Sequence, residues 1–235
     1  MVGLVALVGA GEFLPAMAEF DLGLLATTGR RRPRVAIIPS AAYPAGEDAF
    51  QRSAAMGIEH FSALGAEVEP VLVRDRAAAD DPAHAQAVGE ADFVYLPGGR
   101  QEHLAAVLDE TLLGAAVAEA HRRGAVVVGC AAGAAVLAER RFELRRRILP
   151  WPLRWRAGLA FVPGAAIIPR YDARPEPLLA LMALQAPRGS VVVGLDDGTA
   201  VVGRDGSWQV HGRARVTVWR GRRRERFRAG EAFRI

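Results

Sequence analysis

Lysine is absent from this chain. All 30 of its basic side chains are arginine, set against 26 acidic ones for a formal net charge of +4. Without lysine there is no Walker-type phosphate loop, and the early turn "GAGEF" also lacks G-x-G-x-x-G, so no nucleotide site is expected there. So small a surplus gives little reason to expect a nucleic-acid partner, although "GRRRPR", "ERRFELRRR" and "WRGRRRERFR" concentrate arginine. Acidic residues are interspersed and no DNA- or RNA-binding motif is present, so these stretches read as solvated faces. Cysteine occurs once, at Cys130. That excludes an internal disulfide and a cysteine-based zinc cluster, and it suits a reducing, cytoplasmic setting. No metal and no other cofactor are expected. Long apolar runs are missing as well: Ala125 to Ala138 is interrupted by two glycines and falls short of the roughly 20 residues a membrane helix needs. The N-terminal "MVGLVALVGAGEFLPAMAEF" has no cation ahead of its apolar stretch, so it reads as a first strand and its loop, not as a secretory signal. No repeat or low-complexity linker divides the chain, and residues 1–235 are expected to form one domain.

What is present is a regular βα pattern. Short runs rich in valine and isoleucine, Leu4–Val8, Val35–Ile38, Val68–Val73, Phe93–Leu96 and Val126–Gly129, recur between helical stretches at about 15–27, 46–64, 101–123 and 131–140. Runs without polar alternation belong to strands covered on both faces, so the first half predicts a parallel sheet sandwiched by helices. Gly65 and Gly124 fall just past two helix ends, while Pro39 and Pro97 close two strands. After Glu139 the density of arginine, tryptophan and proline predicts an inserted hairpin or lid. Trp151 and Trp155 within it belong to a lid edge, to a homodimer surface, towards which exposed aromatics and arginine tip the reading, or to the core. A strand near Ala166–Ile168 and a helix over Pro175–Gln185 follow. Beyond Ser190, short strands alternate with Asp-Gly and Gly turns, the pattern of antiparallel hairpins in a mixed sheet.

One turn carries chemical meaning. In "GAVVVGCAAGAAVLAERR" a strand ends in glycine and a helix opens with small residues, the layout of a nucleophile elbow, G-x-nucleophile-x-G. Gly129 and Gly133 frame Ala131 at its centre. An alanine methyl cannot attack a carbonyl. Cys130 is a poor substitute, because the small residue required two places earlier is the β-branched Val128 and adjacent strand residues point to opposite faces. His103, near a helix start, reads as a cap or a solvated side chain ahead of a base.

Six stretches in one order, "LVGAGEF", "IIPSAAYP", "LPGGRQEHL", "VVGCAAGAAVL", "GLAFVPGAAIIPRYDAR" and "GLDDGTAVV", together resemble the cyanophycinase and aspartyl dipeptidase (dipeptidase E) family of serine peptidases, and they span nearly the whole chain. The resemblance implies a three-layer α/β fold, flavodoxin-like and akin to class I glutamine amidotransferases, with a largely parallel sheet and C-terminal antiparallel hairpins. It also places Ala131 at the family's nucleophile, Arg170 at its general-base histidine and Asp197 at its acidic residue. Gly98, Gly99 and Gln101 match the glycine pair and the following glutamine, with Arg100 where asparagine or aspartate is usual. Arg174 matches the family's arginine.

A guanidinium with a pKa above about 12 accepts no proton at neutral pH, so both chemical positions are vacant. The expectation is therefore a catalytically inactive homologue, and two replaced positions suit natural loss of the chemistry better than one engineered exchange. Backbone donors at Gly98, Gly99 and Ala132, together with Arg100, Arg170 and Arg174, would make the former site attractive to a small anionic ligand or an acidic peptide end. Weighed against it is the reading that Arg170 pairs with Asp197 or Asp172 and fills the space, which the rarity of unpaired buried arginines favours. A second reading is an active hydrolase with a relocated nucleophile, Cys130 or Ser40.

Overall fold

The computed structural model describes residues 2–143 and 153–235. Five parallel strands carry the first half: β1 (Val5–Val8), β2 (Arg34–Ile37), β3 (Glu67–Pro70), β4 (Phe93–Leu96) and β5 (Val126–Cys130). They are joined by α1 (Ala18–Ala26), α2 (Glu47–Ala63), α3 (Pro82–Gly89), α4 (Gln101–Leu108) and α5 (Leu112–Arg122). β1, β4 and β5 are buried along their entire length, which is why they lack polar alternation. α1 and α2 pack on one face, where Phe13, Phe61, Phe93, Tyr95 and Val128 form one core. On the other face, residues of α4, α5 and the following helix α6 (Ala132–Leu137) join a second, larger core. The result is the three-layer, flavodoxin-like α/β arrangement.

The predicted caps form. After α2, Gly65 at φ 86° lets its own N–H reach Ser62 O and the Ala66 N–H reach Phe61 O; Gly124 at φ 110° does the same after α5 through His121 O and Ala120 O. These are Schellman closures, which require a residue with positive φ.

Four expectations need correction. The helix expected over 101–123 is two helices, because Thr111 caps α5 by accepting the Gly114 N–H at 3.2 Å and Glu110 turns the chain at φ 52°. α6 stops at Leu137, and Ala138–Glu143 is strand β6. Helix α3, capped by Asp81 accepting the Ala83 N–H, was not foreseen. Finally, the mixed sheet is two sheets. The first, in the order β14-β11-β10-β1-β5-β4-β2-β3, adds β10 (Thr199–Arg204), β11 (Ser207–Gly212) and β14 (Ala232–Arg234) antiparallel beyond β1. The second is ordered β13-β12-β9-β8-β6-β7, with β7 (Arg154–Ala157), β8 (Val162–Pro169), β9 (Val191–Leu195), β12 (Val216–Arg220) and β13 (Arg223–Phe227).

The turn signals explain the difference. Asp205-Gly206, both at positive φ, closes the β10–β11 hairpin, and Gly221 closes β12–β13. Asp197-Gly198 instead carries the chain from β9 in one sheet to β10 in the other, and dipeptide chemistry does not distinguish the two uses. α7 (Glu176–Leu184) covers the outer face of the second sheet through Leu179 and Met182. The inserted hairpin exists as the β6–β7 pair, where Trp155 packs edge-on against Phe142 with ring centroids 6.3 Å apart. That is a packing role for Trp155; Trp151 lies outside the described residues. No helix among the described residues is long and apolar enough to cross a membrane.

Candidate functional site

The parallel register fixes where the loops meet. Val8 lies beside Cys130 and Leu96 beside Gly129, so the segments following β1, β4 and β5 emerge at one end of the sheet, the carboxyl ends where α/β proteins place ligands. A cleft of about 780 Å³ opens there. It is lined by Glu12, Ala41, Ala42, Pro44, Gly98, Gly99, Arg100, Gln101, Glu102, Ala131, Ala132, Phe142, Pro169, Arg170 and Arg174, among others. Every residue matched to the family's motifs lines it except Asp197, an exposed residue whose N–H donates to Asp172 Oδ1 at 3.0 Å.

The elbow is real in its geometry. Ala131 sits at φ 48°, ψ −102°, a backbone conformation that L-residues rarely adopt, and its N–H donates to Val8 O at 2.9 Å. Close packing makes the glycine frame obligatory. A Cβ on Gly129 would stand 2.5 Å from the Gly133 carbonyl carbon, and one on Gly133 would stand 2.1 Å from Leu96 O. A Cβ on Gly99, which is at φ 143°, would lie 2.1 Å from Ala41 O. Gln101 ties α4 to the inserted hairpin by donating from Nε2 to Phe142 O at 2.6 Å.

The proposed substitutes for a nucleophile are placed otherwise. Cys130 is fully buried and does not line the cleft; burial first, then the charge of Glu12, pushes its thiol well above the usual range. Ser40 is fully buried and donates to Val73 O at 2.5 Å. His103 donates from Nε2 to Arg74 O at 2.7 Å and packs against Tyr43, so its ring serves the scaffold.

Two features escaped sequence reading. Glu12 lines the cleft and accepts the Gly98 N–H through Oε1 at 2.9 Å, while its Oε2 takes the Cys130 thiol at 3.1 Å. The backbone donor expected at Gly98 is therefore already engaged, and the Arg100 N–H is likewise spent on Ala41 O at 2.7 Å. The clue was the position of "GAGEF" directly after a buried strand. The second feature concerns the arginines. Arg170, in the left-handed region at φ 49°, ψ 49°, pairs with neither Asp197 nor Asp172, and among the described residues no carboxylate forms a salt bridge with Arg100, Arg170 or Arg174. Arg174 is half-buried and donates to Pro169 O at 3.0 Å; burial, and next the charge of Arg170, lower its pKa from the usual arginine value. No group of three or more His, Cys, Asp or Glu suited to a metal ion occurs among the described residues.

A strained strand-to-helix turn at the carboxyl edge of a three-layer α/β sheet, with glycines two residues to either side, defines the class of elbow hydrolase folds. Within that class the sequence profile of Peptidase family S51 matches residues 6–211, and the chain belongs to this family. Cyanophycinases of Synechococcus elongatus and Thermosynechococcus vestitus are each 30% identical over 160 residues, covering 65% of this chain and 49% of theirs, so the match spans about half the length of these curated relatives. The crystal structure of a peptidase from an acI-B1 Actinobacterium superposes with a TM-score of 0.88 at 29% identity over 100% of this chain and 98% of that one. A putative peptidase E protein from Listeria monocytogenes EGD-e, 16% identical, shares the fold at a TM-score of 0.64 over 91% and 100%.

Proposed function

We propose that this chain is a non-hydrolytic member of Peptidase family S51 whose cleft binds a carboxylate or phosphate group, borne by a small ligand or by the acidic end of a peptide, as a sensor or regulatory subunit. The observation that carries this reading is the pair Arg170 and Arg174. They are like charges lining one cleft, without a carboxylate partner among the described residues, and Arg100 adds a third charge. Against them stand the carboxylates of Glu12 and Glu102, the first already engaged with Gly98. Guanidiniums without a carboxylate partner favour an oxyanion, carboxylate or phosphate, that can accept two N–H donors at once.

Hydrolysis needs an atom that attacks and a group that removes its proton. Ala131 supplies a methyl and Arg170 a cation with no lone pair. Losing a triad member in a serine protease lowers turnover by about 10⁴- to 10⁶-fold, leaving only binding and backbone donors. Ala131→Ser alone is expected to leave the protein inactive, since Arg170 still cannot act as a base.

The test has two arms. Purified protein is incubated with aspartyl dipeptides and with cyanophycin, the polymer implied by the names of the curated relatives; no turnover is expected. Turnover that disappears in Cys130→Ala or Ser40→Ala would establish a relocated nucleophile and overturn the non-hydrolytic half. Isothermal titration with acidic dipeptides and inorganic phosphate is expected to show binding that Arg170→Ala weakens; a flat trace sinks the ligand half.

A further inference from the structure

Glu12 opposes the arginines in the anion reading above, and it lies at the elbow end of the cleft. A Cβ built on Gly98 would stand 2.5 Å from Glu12 Oε1 and 3.3 Å from the Ala131 methyl, so carboxylate and methyl crowd the same spot. Each oxygen is held by a donor from a different segment: Oε1 by the Gly98 N–H that follows β4, Oε2 by the thiol of Cys130 at the end of β5. A carboxylate is an acceptor with lone pairs to offer and no proton to give, so it satisfies these donors as an external anion would.

We propose that Glu12 is an internal ligand: a resident carboxylate that fills the anion position beside Ala131 and so confines any external anion to the Arg170–Arg174 end of the cleft. The inference rests on the anion reading of the same cleft. It makes Glu12 a specificity-determining residue through two effects. Its charge repels a second anion, and the Gly98 N–H, the backbone donor beside the elbow, is withheld from one. Ligands with a single anionic group are expected to bind at the arginines, and ligands needing a second anion near Ala131 are excluded.

The experiment titrates inorganic phosphate into wild type, Glu12→Ala and Glu12→Gln by calorimetry, while following the Gly98 amide by ¹H–¹⁵N NMR. Wild type should bind weakly, with the Gly98 amide unmoved. Glu12→Ala frees a donor able to make a charge-assisted hydrogen bond and removes a repulsion, so affinity should rise about tenfold or more and the Gly98 amide should shift. Glu12→Gln keeps an acceptor on Gly98 and so preserves the loop; its gain should be smaller, about threefold, from the lost charge alone. Equal affinity in wild type and Glu12→Ala overturns the proposal, as does a Gly98 shift in wild type. Should Glu12→Ala fail to fold, equality between wild type and Glu12→Gln overturns it. Binding unaffected by Glu12 but weakened by Arg170→Ala leaves the anion reading standing alone. Binding tightened by Glu12→Ala but indifferent to Arg170→Ala removes the arginine reading and overturns the confinement of the anion to that end, leaving only the hold of Glu12 on the Gly98 N–H. No binding by any protein removes both.

Discussion

The two ends of the cleft are built on different principles. At the elbow end, Gly129 and Gly133 have no room for a methyl against neighbouring backbone, the Gly98 N–H is bonded to Glu12, and the Ala131 N–H is bonded to Val8 O. At the other end, Arg170 is exposed and Arg174 half-buried, and neither has a carboxylate partner among the described residues. At the first end the glycine frame is closed sterically and the Gly98 and Ala131 N–H groups are engaged, so these residues are dictated by the backbone. The second is unsatisfied in charge, so its residues are free to serve a ligand. The elbow geometry is present with a methyl group at its centre.

Breaking the elbow end should have the largest effect. Gly133→Val would drive a Cβ to 2.1 Å from Leu96 O, a clash with backbone that cannot rotate away. A loss of about 3 kcal/mol or more is expected, seen as a fall in Tm of roughly 10 °C in calorimetry. Arg170→Ala should change Tm by less than about 2 °C, as expected of an exposed side chain. A Gly133→Val protein as stable as wild type would erase the contrast. On binding the order reverses: Arg170→Glu should weaken phosphate binding by about ten- to a hundredfold, with Gly98 and Gly133 untouched. Smaller again is a gain. Ala131→Gly relieves the strain at φ 48°, ψ −102° and should stabilise the fold by about 1 kcal/mol after the greater chain entropy of glycine is deducted. Chemical denaturation that shows a loss would mean the turn is not strained.

The smallest expected effect concerns pH and lies away from the cleft. His121 donates from Nε2 to Gly3 O at 3.0 Å, and burial lowers its pKa below the ordinary 6.5, so the folded state favours the neutral ring. Between the folded and unfolded values the unfolded chain binds more protons, and stability therefore rises with pH through that window and is lost as pH falls through about 6.5 and below. His211, also lowered by burial, adds in the same direction. The Tm of a His121→Gln variant should depend less on pH between 5 and 7; an unchanged slope would assign the effect elsewhere.

Much of the fold was legible. β4 matches its expected bounds, and the helix ends at Gly65 and Gly124 follow from local chemistry, as does the small-residue frame around Ala131. The break at Thr111 was missed because a capping threonine inside an apolar helical pattern looks like any other polar residue. The second sheet was missed because Asp197-Gly198 and Asp205-Gly206 are alike as turns and differ only in what the following strand pairs with. In the site, the candidates drawn from motifs gather in one cleft, while Asp197 lies apart and Glu12 went unread.

By itself the sequence determined that Ala131 cannot attack, that Arg170 cannot accept a proton, and that glycines flank the turn between them and the sheet. These are properties of single side chains and near neighbours. Only the tertiary structure decided that Glu12 holds the Gly98 N–H across 86 residues of chain, and that two arginines share a cleft without a carboxylate partner among the described residues. Hydrogen bonds and bare charges of that kind depend on which strand ends are brought together, and strand pairing is a long-range outcome of burying both faces of the sheet.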